Sequence, residues 1–414
     1  MKHTVSVDRL QPGIFVLLSE LSWLEHPFLL NRFRLSSEDQ IKVLRRLGLK
    51  EVEWDPSRST AQPLPESTEA VEEEVDFTAA ALGSMLDAKR ERADRVRQQR
   101  DGLARCERLF EQETASMGEI LHDLGARPNE SYGRAKATVG RLVSGLLNAD
   151  SVAVHLVNMK TKEPGLAHHA MNVMVISLLL GKAAKVTEEE MRSLGLGALF
   201  HDVGKTDVPP RVLRNPHRTT AEEQFYQAHV GYGIKNISAI RDMPVAVKNI
   251  IACHHERWDG SGFPNHLAEA KIPKLSRIVA IANRYDNLCN PFDLKVAKTP
   301  AEAVAHMFKR EAGFYDPELL NVFVKSLGVY PPGSFVALSD GSIGLVIETN
   351  SNDLLHPLIM LHDPTVPRNE ALLLDLREAE AKIEGALSPA KLPIEIVEYL
   401  APRGRVDYYI DAAH

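Results

Sequence analysis

His201-Asp202-Val203-Gly204-Lys205 decides how this chain reads, together with the run His254-His255-Glu256-Arg257-Trp258-Asp259-Gly260-Ser261-Gly262-Phe263-Pro264. His169 precedes both stretches and His229 lies between them. Alone, a His-Asp or His-His pair is ordinary, because a buried histidine is usually a core residue with satisfied hydrogen bonds. Together, so many ionisable groups on apolar helices cost several kcal/mol to bury unless something pairs with them. A metal cluster supplies that partner, since imidazole nitrogens plus a carboxylate are the donors of hydrolytic metal centres.

The adjacency of His201 and Asp202 lets the carboxylate bridge two ions. Two ions about 3.5–4 Å apart clamp the attacking and leaving oxygens of a phosphoryl displacement and lower the pKa of a bridging water. His169, His229, His254 and His255 then fill the remaining positions. Lys205, one helical turn past His201, is expected to point into the same cavity as a phosphate cation. Asp202 and Lys205 are therefore the expected catalytic residues. Asp259 to Pro264 reads as a turn whose two glycines, Gly260 and Gly262, let backbone approach a ligand.

Outward from these motifs, Ser131 to about Leu327 is helical by pattern, with helices expected over Ala135–Leu147, Ala167–Lys185, Thr187–Leu199, Pro244–Cys253 and Lys274–Leu288. Residues 1–55 read as a small α/β unit: strands at Val5–Val7 and Ile14–Leu17, a helix after Ser36, and a closing strand at Glu51–Trp54. Residues 56–76, rich in Pro, Ser and Glu, read as a flexible acidic linker. A connecting helix is expected within 77–130; its charged stretch Lys89 to Arg100 interleaves acidic residues, and its narrow apolar stripe suits a homodimer. The helical domain is bounded at 131–328. Residues 329–414 form a β-rich extension, with a hairpin through Asp340-Gly341 and a third strand at Leu358–Leu361. The fold class is mainly α, flanked by small α/β and β-rich parts.

The net charge of −7 gives no global basic field, so duplex nucleic acid is not an expected partner. Cys106, Cys253 and Cys289 lie far apart and form no CxxC pair, which argues for reduced, buried thiols. No signal segment opens the chain, and the longest apolar candidate, Val173 to Leu180, falls short of the ~20 residues needed to cross a bilayer. A cytoplasmic location with no membrane partner is expected.

From about Ala167 to Tyr330 the chain resembles an HD-GYP domain, a branch of the HD phosphohydrolase superfamily. The likeness is carried by His169 in His-Ala-Met-Asn-Val, by His201–Lys205, by His229 with Gly233, by His254–Phe263, and by Arg277-Ile278-Val279-Ala280-Ile281-Ala282. Gly262-Phe263-Pro264 stands where the family has Gly-Tyr-Pro. The resemblance implies hydrolysis of cyclic di-GMP to pGpG or onward to GMP, with two or three iron or manganese ions. It implies substrate contacts from Lys205, Arg214, Asp259, Gly260, Gly262, Phe263, Asp286 and Lys295. It also implies a diguanylate cyclase or other signalling protein as partner. The first residues resemble a small domain of unknown function that often precedes such domains, through Val7–Gly13 and Trp23…Pro27-Phe28.

Three departures stand out. Asn283 occupies a position where the family carries a metal-binding aspartate and is expected to ligate through its amide oxygen, with Asp286 one turn on. Gly165 stands where three-metal members have glutamate, Glu163 being at the wrong spacing, so two divalent ions are expected. Asn215-Pro216-His217 and Phe292-Asp293-Leu294-Lys295 replace stretches richer in phosphate-binding cations. A metal-dependent cyclic di-GMP phosphodiesterase is the leading expectation. The alternatives are a catalytically weak or inactive nucleotide-binding or protein-interaction module, and a phosphohydrolase of another phosphoester.

Overall fold

The computed structural model describes residues 3–19, 21, 26–28, 31–65, 79–149, 153–157, 165–364, 366–379, 381–401 and 406–411. The chain divides into two compact units, Met1–Asp101 with Ser339–Ser342, and Gly102–Leu338 with Ile343–His414.

In the first unit, β1 (His3–Ser6), β2 (Phe15–Leu17), β3 (Arg32–Arg34) and β4 (Glu51–Trp54) form an antiparallel sheet in the order β1-β4-β2-β3. Helix α1 (Glu38–Arg46) adds Ile41, Val43 and Leu44 to one buried cluster with Ile14, Val16 and Leu35. The strand β3 carries no clear alternation and escapes the sequence reading. The expected linker does not begin at 56. Thr60 N–H donates to Gly13 O (2.8 Å), Leu64 N–H to Arg9 O (2.8 Å) and Gln11 Nε2 to Gln62 O (2.6 Å), so residues to 65 fold back on the unit. The remainder of that linker, 66–76, and Trp23 lie outside the described residues.

Helix α2 (Ala79–Asp123) runs 45 residues, as the helical pattern from 77 predicts. The side chains of Leu82, Met85 and Leu86 lie outside the described residues, whereas Cys106, Phe110, Met117, Ile120 and Leu124 recur at helical spacing and are buried.

The second unit continues with α3 (Pro128–Asn148), β5 (Ala153–Val157), α4 (Leu166–Ala183), α5 (Glu188–Phe200), α6 (Pro210–Arg214), α7 (Thr220–Gln227), α8 (His229–Ile237), α9 (Val245–Cys253), α10 (Lys274–Cys289), α11 (Pro300–Arg310) and α12 (Pro317–Leu327). Thr187, Thr219 and Thr299 each form a capping box with the glutamate three residues on, satisfying the first amides of α5, α7 and α11. At α5, a Cβ on Gly197 would stand 2.3 Å from Ile250 Cδ1 of α9, so a bare backbone lets the two helices close together. Helix α4 is long and apolar enough to span a bilayer by length and composition, yet most of it is buried inside the unit.

The helical region does not run unbroken from 131, nor does 329–414 stand apart as an extension. Strand β5, all five residues buried, pairs antiparallel with β7 (Ile343–Asn350) and β11 (Asp407–Asp411). The other strands are β6 (Phe335–Leu338), β8 (Asp353–Leu361), β9 (Leu373–Asp375) and β10 (Ile383–Leu387), with α13 (Ile394–Leu400) preceding β11. The sheet runs β10-β6-β7-β5-β11, with β8 pairing β7 and β9. A short run of buried residues reads equally as helix or strand, which is why β5 is illegible without its partners.

Candidate metal centre

The clustered histidines sit at helix ends. His169 lies in the first turn of α4, His229 opens α8, and His201 and His254 directly follow α5 and α9. Carbonyls in the last turn of a helix have no intrahelical amide to accept from. Three of these histidines use that shortage. His201 Nδ1 lies 2.7 Å from Ala198 O, His229 Nδ1 2.5 Å from Tyr226 O, and His254 Nδ1 2.9 Å from Ile251 O. A carbonyl only accepts, so each Nδ1 carries a proton, and Nε2 is the nitrogen left to act as a ligand from the neutral ring.

The Nε2 atoms of four histidines converge on Asp202. Its Oδ2 lies 3.3 Å from His169 Nε2 and 3.4 Å from His201 Nε2, and its Oδ1 lies 3.4 Å from His229 Nε2 and 3.6 Å from His254 Nε2. Two donor groups result: His169, His201 and Asp202 in one, and Asp202, His229, His254 and His255 in the other. Asp202 belongs to both. Its Oδ2 also accepts from Lys205 Nζ.

The donor set fits divalent cations. His229 Nε2 and His254 Nε2 face each other at 3.4 Å, beside Asp202 and His255 in one donor group. Asp202 Oδ1 and His255 Nε2 are buried with no hydrogen-bond partner among the described residues, a cost in a low dielectric that ligation removes. Burial pushes His254 down to about 4 and holds His255 well below the usual histidine range, so both stay neutral as ligands must. Burial also works against the charge on Asp202, yet Lys205 and the imidazoles hold it well below the usual carboxylate range. For His169, burial is outweighed by Asp202 and Asp286, which raise it to about 9.

Glycine brings the two groups together. A Cβ on Gly204 would stand 1.9 Å from His229 O and 2.3 Å from Gly233 N. Only a bare backbone lets the 3₁₀ turn Val203–Asp207 lie on α8, and this sets Asp202 against His229.

With this geometry in view, comparison with known proteins is informative. Residues 151–319 match the family described as HD domain, and residues 2–135 match a domain of unknown function, DUF3391. Residues 151–319 are thus similar to HD domains. A cyclic di-GMP phosphodiesterase of Pseudomonas aeruginosa is 29% identical over 87% of this chain and 84% of its own length. The 3′3′-cGAMP-specific phosphodiesterase 2 of Vibrio cholerae is 32% identical, over 46% of this chain and 35% of its own length. A solved HDG"Y"P protein from Bdellovibrio bacteriovorus, 17% identical, superposes with a TM-score of 0.45 over 78% of this chain and 98% of that one.

The fold brings some expected site residues together and leaves others aside. Phe263 stacks on His255 with ring centroids 4.5 Å apart, and Asp286 Oδ2 lies 2.6 Å from His169 Nδ1. Lys205 enters the cluster but bonds Asp202. Asn283 is buried on α10, where its Oδ1 accepts from Asn287 Nδ2 at 2.6 Å; the α10 carboxylate against His169 is Asp286. Asp259 is exposed and its Oδ1 accepts from Ser261 N–H. Lys295 is exposed on the turn Leu294–Val296, and the Arg214 guanidinium lies 5.5 Å from the Phe292 ring centroid. Gly260 has φ +78°. Gly262 serves the loop's own packing, because a Cβ there would meet Arg257 N at 2.3 Å and His255 O at 2.5 Å. Glu163 lies outside the described residues.

Sequence reasoning passes over Glu256, whose two carboxylate oxygens accept from Asn265 N–H (2.7 Å) and Leu267 N–H (2.9 Å) and so staple the loop carrying Phe263. It also passes over Tyr226, whose ring lies 5.2 Å from that of His229, with Arg218 over it at 4.0 Å and Lys205 at 5.6 Å. Neither residue type signals such a role without its neighbours.

Proposed function

We propose that this protein is a metal-dependent phosphodiesterase of cyclic di-GMP, acting in bacterial second-messenger signalling in the cytoplasm. The observation that carries the reading is the pair of donor groups sharing one buried carboxylate, Asp202. His169, His201 and Asp202 would hold one divalent ion, and Asp202, His229, His254 and His255 the other. When bound, such a pair supplies Lewis acidity toward phosphate oxygens and a water of lowered pKa. The protein's own part is orientation. Backbone carbonyls fix three tautomers, Asp286 directs the His169 ring, and Lys205 holds Asp202 ionised.

An all-nitrogen and oxygen donor set without thiolate suits iron or manganese. pGpG or GMP as product, and a diguanylate cyclase or another signalling protein as partner, follow from the HD-GYP resemblance. The similarity to a curated cyclic di-GMP phosphodiesterase over most of both chains supports the substrate.

The test is anaerobic purification, metal quantitation, and turnover of cyclic di-GMP beside 3′3′-cGAMP and nucleoside phosphates. Two ions per chain and cyclic di-GMP hydrolysis are expected, with both lost in Asp202→Ala. Hydrolysis intact in Asp202→Ala overturns the mechanism. Binding of cyclic di-GMP without turnover would select the binding module instead.

A further inference from the structure

We propose that the C-terminal strand β11 positions the candidate ligand His169, acting through Asn172, Asn290 and Asp286. The proposal rests on the two-ion reading above and extends it to residues that touch neither ion nor substrate.

The connection starts at His169. Its Nδ1 faces Asp286 Oδ2 at 2.6 Å, which commits that nitrogen and turns Nε2 toward Asp202. The other oxygen of Asp286 is held as tightly: Oδ1 accepts from Asn172 Nδ2 at 2.9 Å and from Asn290 Nδ2 at 2.8 Å. Asp286 and Asn172 are each about 2% exposed, so bulk water is a poor substitute for these bonds.

Asn172 also grips β11, and Asn290 grips Val406, the residue that leads into it. Asn172 Nδ2 reaches Asp407 Oδ1 at 2.9 Å and Val406 O at 3.3 Å, and its Oδ1 accepts from Tyr408 N–H at 3.1 Å. Asn290 Nδ2 donates to Val406 O at 2.7 Å, and its Oδ1 accepts from Val406 N–H at 2.9 Å. An edge strand leaves one row of backbone donors and acceptors without a strand partner. Here β5 pairs with one side of β11, and the two asparagine amides satisfy groups on the other. The strand is further pinned by Tyr408, whose hydroxyl lies 2.7 Å from Tyr285 Oη and donates to Pro332 O at 3.1 Å. Each amide therefore bonds Asp286 and the segment Val406–Tyr408 at once, and displacing the strand removes the partners that hold both amides in register. The family match ends at residue 319, well before this strand.

The test is a cobalt(II) titration of full-length chains followed by visible absorption, which reads the ligand field of the ion, beside far-ultraviolet circular dichroism. Asn290→Leu removes the amide that joins Asp286 to Val406. Asp407→Ala acts from the strand itself and removes one acceptor of Asn172. In both variants one cobalt ion is expected to bind as in the parent. The other is expected to bind roughly tenfold more weakly, as for other losses behind a ligating histidine, with a shifted absorption band and unchanged helix signal. Parent-like titrations and spectra in both variants would overturn the proposal while leaving the two-ion reading intact. A parent chain that takes up no cobalt would overturn both. Should Asn290→Leu fail to fold, Asp407→Ala decides alone.

Discussion

Asp202 is one carboxylate surrounded by four imidazole nitrogens and an ammonium, and this imbalance explains why its pKa sinks despite complete burial. The environment that makes it a strong ligand is built by residues with no ionisable chemistry. Gly204 is the sharpest case, because the atoms its Cβ would strike are backbone and cannot rotate away. Gly204→Ala is expected to cost about 1–3 kcal/mol or more and to lower metal content, since Asp202 and His229 are forced apart. A Cβ on Gly231, on the same helix as His229, would meet nothing within 4 Å beyond its own helix among the described residues. Gly231→Ala is expected to leave metal content unchanged and to stabilise by up to ~1 kcal/mol. Urea unfolding with metal analysis of both variants checks the contrast; equal behaviour would mean that the 3₁₀ turn does not depend on close approach.

At the scale of elements, helix ends do the positioning and buried polar knots join the helices. Glu311, which follows α11, illustrates the second device. It accepts from Arg284 of α10 at 2.5 and 3.0 Å and from the Tyr315 hydroxyl at 3.0 Å, and His306 Nε2 lies 3.1 Å away. Burial works against its charge, but Arg284, Tyr315 and His306 together lower its pKa below the ordinary 4.5. A carboxylate depressed on folding contributes stability that is present above its unfolded pKa and is lost as pH falls through the folded value. Thermal unfolding of the parent should therefore weaken progressively below about pH 4.5. Glu311→Gln is expected to lose about 1 kcal/mol at neutral pH, with its gap to the parent closing as the medium is acidified. A gap that stays constant with pH would show that charge is not what Glu311 contributes.

For the whole molecule, every residue of the two donor groups lies in the second compact unit, and that unit includes the C-terminal strands. A chain of residues 102–414 is expected to keep the full metal stoichiometry. A chain of residues 102–328, which follows the boundary read from sequence, is expected to aggregate, because β5 would lose β7 and β11 while buried and leave its backbone groups unpaired. Light scattering and metal content of the two chains decide it; a soluble, metal-loaded 102–328 would show that the shared sheet is dispensable. By itself the sequence determined the helical class, the limits of several helices around the site, the N-terminal α/β unit, and the identities of the imidazoles and carboxylate that cluster. Helical period, capping threonines and ionisable residues in apolar runs are local signals, and they survive without tertiary context. Tertiary structure alone decided that Asp202 stands between two donor groups, that Lys205 bonds Asp202, that Asp286 meets His169, and that a strand near residue 155 belongs to a sheet completed near residue 410. Each of these joins groups remote along the chain, and such pairings follow from packing and hydrogen-bond satisfaction across the fold, which no local window of residues encodes.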